Sequence, residues 1–135
     1  MDRTLIVFKP DAVKRGLSGE LLARFERRGF KIVALKLVSV TPELAAQHYV
    51  EHVSKPFFPS LVEFITSSPV VALVLEAQNA VPLSRAMIGA TSPLDAAPGT
   101  IRADYTTDKQ LNLVHGSDSA ESAAREIPLW FPELT

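Results

Sequence analysis

Val70-Val71-Ala72-Leu73-Val74-Leu75 is the longest unbroken apolar run in the chain. It is far too short to span a bilayer, and its length and composition read as a central strand. Working outward, residues 4–8 (Thr-Leu-Ile-Val-Phe) read as a short buried strand, and residues 30–40 are rich in β-branched and aliphatic side chains and read as another. Between them, Ser18–Arg28 carries Leu21, Leu22 and Phe25 at helical spacing, with Arg27 and Arg28 in the last turn and Gly29 as the stop. Thr41-Pro42-Glu43 is a helix start, and that helix is expected to reach His52. Pro56 and Pro59 bracket a turn, and residues 61–66 make a short helix. Asn79 is expected to cap a helix ending at Gly89. Residues 91–111 look irregular, and a short extended piece leads to His115. The last helix is expected to start with Asp118 as N-cap and Glu121 as its capping-box partner. It should end near Ile127, because Pro128 cannot continue it comfortably. The order is roughly β-α-β-α-β-α-β, which argues for an α/β sandwich with helices packed on a sheet. Spacing leaves the strand directions open.

With 135 residues, 47% of them hydrophobic and 21% charged, the chain is expected to form one domain over residues 1–135 with a real core. The absence of cysteine excludes disulfides, thiolate metal sites and cysteine catalysis. It also fits a reducing compartment, and with no secretory pattern at the N-terminus a cytoplasmic protein is expected. The net charge of −1 lacks the basic excess of a protein that lives on nucleic acid or an anionic membrane.

Chemistry concentrates in Asn112-Leu113-Val114-His115-Gly116-Ser117-Asp118-Ser119. A histidine sits there in a tight turn before a helix start, where the positive helix end suits an anion such as phosphate. Local sequence leaves two readings: a histidine that meets phosphate, or one that merely closes a turn. No Walker A loop and no G-x-G-x-x-G is present, so a bound phosphate must rely on cationic side chains. Lys9, Arg85 and Arg102 stand at or near element ends, where arginine forks and a mobile lysine charge suit phosphate oxygens. Taken singly, each also reads as a solvated surface charge.

Two other patterns compete. His48-Tyr49-Val50-Glu51-His52 spells H-x-x-E-H, with histidines at i and i+4 on one helix face, as in zinc peptidases. That helix is short and soon broken by Pro56, and a third ligand would have to come from a distant acid such as Glu121 or Glu126. A polar face on a surface helix is the plainer reading. Lys55-Pro56-Phe57-Phe58-Pro59 puts two aromatics on a stiff turn. Both can be core, or one can serve as a stacking platform for a base.

Lys9-Pro10-Asp11-Ala12-Val13, Lys55-Pro56-Phe57-Phe58, Ile88-Gly89-Ala90-Thr91-Ser92-Pro93, Pro98-Gly99-Thr100-Ile101-Arg102 and the segment around His115 follow one another as in nucleoside diphosphate kinases. The chain resembles that family over essentially its whole length, and bacterial members with a short C-terminus in particular. The resemblance implies a ferredoxin-like α/β sandwich with a four-stranded antiparallel sheet covered by helices. It implies transfer of the γ-phosphate of a nucleoside triphosphate, usually ATP, to a nucleoside diphosphate, by a ping-pong route through a phosphohistidine at His115. Ser117 and Glu126 match the residues that support that imidazole. Lys9, Tyr49, Arg85, Thr91 and Arg102 match phosphate ligands, Asn112 and Lys9 match sugar contacts, and Phe57 matches the base-stacking aromatic. Magnesium is expected to come with the nucleotide, with no direct protein ligand and Asp118 touching its shell through water. A homo-oligomer is implied, hexameric by preference and otherwise tetrameric. Ala12 replaces a frequent glycine, and Lys109 stands where a small apolar residue often flanks the base opposite Phe57.

Overall fold

The computed structural model describes residues 1–134. Four strands form one sheet: β1 (Asp2–Phe8), β2 (Lys31–Val38), β3 (Val70–Ala77) and β4 (Val114–Gly116), in the order β2-β3-β1-β4. All three pairings are antiparallel, with Asp2 opposite Ala77 and Phe8 opposite Val71 in the central pair. Seven α-helices surround it: α1 (Pro10–Lys14), α2 (Ser18–Arg28), α3 (Pro42–His48), α4 (Phe58–Ile65), α5 (Ala80–Ile88), α6 (Ile101–Tyr105) and α7 (Ala120–Trp130).

The apolar runs of β1 and β3 are continuous because both faces of the sheet are covered. Alternate side chains leave a strand on opposite faces. Ile6, Phe8, Leu73 and Leu75 pack on one side with Leu21 and Phe25 of α2, Ile88 of α5 and Ile101 of α6. Leu5, Val7, Ala72 and Val74 pack on the other with Ala45 of α3, Ile65 of α4 and Trp130 of α7. Among the described residues, no helix is long and apolar enough to cross a membrane.

Several boundaries differ from the sequence reading. The third helix stops at His48, because Tyr49 leaves helical geometry (φ −94°, ψ 34°), and residues 50–52 form a separate 3-10 turn. Helix α4 begins at Phe58, earlier than expected, with Pro59 tolerated in its first turn. Asn79 caps α5 without a side-chain bond; it sits in the left-handed region, and its N–H donates to Asp2 Oδ2 at 3.0 Å. Two helices were not expected: α1, started by Pro10 at N1, and α6, whose N-cap Thr100 accepts from the Ala103 N–H at 3.2 Å.

Helix α7 is capped by Ser119 Oγ, which accepts from the Ser122 N–H at 3.0 Å; Asp118 lies one residue outside. Pro128 does not end it. Pro128 and Ala124, whose carbonyl loses its donor, are both exposed, so water can serve that carbonyl. Burial of Trp130 and Phe131 then holds the last turn in place.

Gly89 ends α5 at φ 95°, ψ 172°, a region essentially reserved for glycine, and an added Cβ would lie 2.5 Å from Thr100 Oγ1. Gly89→Ala is expected to cost about 1–3 kcal/mol in urea unfolding. A second prediction concerns acid. Burial, with the charges of His115, Arg125, Lys9 and His52, pushes the His48 imidazole down to about 2. The unfolded chain takes up that proton near pH 6.5, and the folded chain resists it until far lower, so stability falls as pH drops through this window. Urea unfolding at pH 7 and pH 5 should show about 2 kcal/mol of loss from this group. The loss should be smaller in His48→Asn.

Candidate active site

The short strand β4 carries His115 opposite Val7 of the central strand. Its inner edge is tied to β1, with the Lys9 N–H donating to Leu113 O at 2.8 Å and the Ser117 N–H to Leu5 O at 3.1 Å. Its outer edge meets no further strand. There Arg102 donates from Nε to Asn112 O at 3.2 Å and from Nη2 to Val114 O at 2.7 Å, and Arg85 Nη1 donates to Gly116 O at 3.1 Å. Carbonyls of alternate residues on the free edge are thus met by guanidinium groups. Arg102 spends a third donor on Gly89 O at 3.1 Å, which ties α6 to the end of α5.

The turn into β4 is forced. Leu113 is fully buried at φ 75°, an unusual conformation for a non-glycine residue. Its N–H donates to Asp11 Oδ2 at 3.1 Å, so the carboxylate at the start of α1 holds the turn. The other oxygen of Asp11 is buried with no partner among the described residues. Sequence reasoning quoted Asp11 within its motif and gave it no role. The signal was an acid directly after Lys9-Pro10, at the start of a helix.

His115 is partly exposed, and its Nε2–H donates to Glu126 Oε1 at 2.9 Å. Ser117 Oγ donates to the same oxygen at 2.9 Å and accepts from the Leu5 N–H at 3.2 Å. The carboxylate therefore takes one ring nitrogen and leaves Nδ1 with a free lone pair. Arg125 lies 3.6 Å from the other Glu126 oxygen and donates to the carbonyls of Gln47 (2.9 Å) and His48 (3.2 Å) at the end of α3. Arg125 was missed in the sequence; its only signal was its place beside Glu126.

A cavity of about 190 Å³ opens over these groups, lined by His48, Tyr49, Arg85, His115, Asp118 and Glu126, among others. Burial and the nearby Glu126 charge push the Tyr49 hydroxyl up to about 12, so it stays a neutral donor. Lys9 donates to Asn112 Oδ1 at 2.8 Å. Burial and then the Arg102 charge push Lys9 down to about 8, while burial and then Arg85 push Arg102 down to about 10. These three cations bear on one another, with Asp11 opposing the effect at Lys9. A cluster of this kind favours an incoming anion.

Of the expected site residues, Lys9, Arg102, Asn112 and Ser117 lie outside that cavity's lining, held in or beside the strand beneath it, and so do Phe57 and Thr91, both exposed. Phe57 keeps 47% of its surface exposed, with the Lys55 ammonium 5.7 Å and the His52 ring 5.3 Å from its ring. Phe58 turns partly inward, so the two aromatics divide into one outward and one inward ring. The H-x-x-E-H pattern dissolves. His48 is the buried last residue of α3, and His52 belongs to the separate 3-10 turn. The candidate metal-ligand cluster among the described residues joins His48 to His115 and Glu126, without His52.

The profile of the nucleoside diphosphate kinase family matches residues 2–135. A nucleoside diphosphate kinase of Saccharopolyspora erythraea is 61% identical, over 98% of this chain and 98% of its own length. One from Rhodopirellula baltica is 60% identical, over 97% of this chain and 86% of its own. Among solved structures, a family protein from Babesia bovis superposes with TM-score 0.96 at 50% identity, covering 98% of this chain and 90% of that one. The enzyme of Halobacterium salinarum, solved in complex with CDP, gives 0.93 at 49% identity, covering 96% and 87%. A family profile matched over almost every residue, with relatives this similar along most of their length, makes this chain a member of the nucleoside diphosphate kinase family.

Proposed function

We propose that this chain, as one domain over residues 1–135, moves the γ-phosphate of a nucleoside triphosphate to a nucleoside diphosphate with His115 as the relay. The observation that carries the assignment is His115, tied through Nε2 to Glu126 so that Nδ1 is left over, on a strand whose flanking carbonyls are gripped by Arg85 and Arg102. In the first half-reaction the Nδ1 lone pair attacks the γ-phosphorus, the bond to the bridging oxygen breaks, and the diphosphate leaves with that electron pair. In the second, a terminal phosphate oxygen of another diphosphate attacks the phosphohistidine and the N–P bond breaks. Glu126, oriented by Ser117, stabilises the positive charge that the imidazole gains on attack. Lys9, Tyr49, Arg85, Thr91 and Arg102 are assigned to phosphate oxygens, and Asn112, with Lys9 again, to the sugar hydroxyls. Positioning and charge stabilisation supply the rate, as phosphoryl transfer requires little other covalent work.

The donors present fit a magnesium ion carried by the nucleotide. The one ligand cluster among the described residues offers two imidazole nitrogens and one carboxylate, with His115 already bonded to Glu126, which suits a hard oxygen-seeking ion poorly. Asp118, exposed at the cavity rim with Ser122 Oγ donating to it at 2.6 Å, would reach the ion's water shell. Magnesium brought with the nucleotide would supply neutralisation of phosphate charge.

Phe57 is the stacking platform for the base. A π-face reads no base edge, so the preference among bases is broad. Lys109, exposed on the loop before Asn112, brings a flexible charged stem where an apolar flank is frequent. The unpaired outer edge of β2, with Leu35 48% and Leu37 67% exposed, supports a homo-oligomer, a hexamer by preference. A cysteine-free chain with nucleotide substrates fits the cytoplasm.

Brief incubation with γ-labelled ATP and magnesium should leave an acid-labile, base-stable label on the protein. Added nucleoside diphosphate should discharge it, and His115→Ala should carry none; a fully labelled alanine variant would refute the assignment. Phe57→Ala should weaken nucleotide binding roughly ten- to a hundredfold, the worth of ~1–3 kcal/mol of stacking, while His115 still accepts phosphate. Equilibrium titration with a nucleoside diphosphate measures this directly.

A further inference from the structure

His48 lies at the centre of the site without a part in the chemistry above. Its ring stands nearly perpendicular to three neighbours: His115 at 4.5 Å and 78°, Tyr49 at 4.8 Å and 75°, and Trp130 at 5.4 Å and 89°. It is buried, and its Nδ1 accepts the indole N–H of Trp130 at 3.1 Å. A neutral imidazole has one donor and one acceptor nitrogen. With Nδ1 accepting, the proton of His48 sits on Nε2.

That arrangement disposes of a metal reading. His48, His115 and Glu126 present ligand atoms within 4.8 Å of one another. Yet Nδ1 of His48 is held by Trp130, its Nε2 carries the proton, and Nε2 of His115 is bound to Glu126. The burial that keeps the His48 proton affinity so low also removes it as a counter-charge or general acid. What remains is a rigid neutral ring beside the nucleophile.

We propose that His48 and Trp130 are positioning residues for His115: the Trp130 N–H fixes the tautomer and plane of the His48 ring, and that ring holds the His115 imidazole in the orientation that leaves Nδ1 open. One helix supplies the whole clamp. Glu126 and Trp130 are four residues apart on α7 and so share a face. Glu126 grips the His115 ring at Nε2, and Trp130 sets the wall beside it. Arg125, between them, fastens the end of α3 through the carbonyls of Gln47 and His48, which fixes where His48 begins. The inference rests on His115 being the phosphorylated residue.

The test uses W130F, H48F, their double variant and H48N, with quench-flow phosphorylation by γ-labelled ATP at saturation. W130F keeps an aromatic ring and removes the donor. It should slow phosphorylation of His115 by about ten- to a hundredfold, the usual effect of misplacing a reacting group, with nucleotide affinity within about twofold. H48F should lose a similar amount, the double variant no more than H48F, and H48N, whose amide oxygen still accepts the indole N–H, should recover part of the loss. Unchanged rates, a loss confined to affinity, or losses that multiply in the double variant would overturn the proposal. Nitrogen-15 correlation spectra of the nucleotide-free protein give a readout independent of the reaction. Wild type should show His48 protonated at Nε2 alone, and W130F a mixture of tautomers; Nδ1 protonation in wild type would overturn the clamp. Failure of His115 to take up label would instead strike the functional assignment and leave the tautomer result standing.

Discussion

The site depends on how a three-residue strand at the edge of a sheet is held. Val114–Gly116 has β1 on one side only. An open edge of this kind is mobile and invites pairing with another chain. Here Arg102 and Arg85 occupy it, donating to the carbonyls of Asn112, Val114 and Gly116. The guanidinium groups replace a missing strand. A strand would have been electrically neutral, whereas two arginines bring positive charge to the strand that carries His115. Edge protection and positive charge thus come from the same side chains. Arg102 uses three of its five donors on the backbone, so the fold itself holds it in place. A ligand then does not have to order it.

Other unfavourable features gather around the same charges. Lys9, Arg85 and Arg102 gather close to one another, and two of them are shifted toward losing their protons. The buried Leu113 sits at positive φ, and one oxygen of Asp11 is left without a partner. Each feature is unfavourable for folding. The stability comes from elsewhere, from a sheet packed on both faces and from α5 and α7 lying against β1. Strained groups around a partly exposed histidine on a well-packed frame are the pattern expected of a preorganised site.

Much of this was legible in the sequence, and the exceptions have physical causes. The strands were readable because apolar continuity in residues 70–75 reflects burial on two faces. Their directions were not, since antiparallel pairing through long crossovers leaves no trace in spacing. Helices α1 and α6 are only five residues long, too short for a periodic signal. The end of α3 was misread because nothing in His48-Tyr49-Val50 breaks a helix locally; the break comes from where Tyr49 must point. Candidate site residues were found through motifs that join distant segments. Asp11, Arg125 and the Trp130–His48 bond are contacts between segments that no local pattern records. The H-x-x-E-H pattern, set aside as a metal site in favour of a polar face on a surface helix, spans a point where the helix has already ended, and His48 is buried rather than on the surface.

Pro128 shows why that last class of contact matters. Read locally, it ends the final helix at Ile127, and Glu126 would then be close to a frayed end. The helix instead continues to Trp130, because the carbonyl that Pro128 leaves without a donor lies at an exposed position and the residues beyond it are buried. The continuation keeps Glu126 a full turn inside the helix, where its backbone cannot fray, and it brings Trp130 onto the same face. An interior proline is usually a defect. At this position its cost falls on the solvent side, while the side toward β1 keeps the regular geometry that the Glu126 carboxylate needs to meet His115 at hydrogen-bond distance.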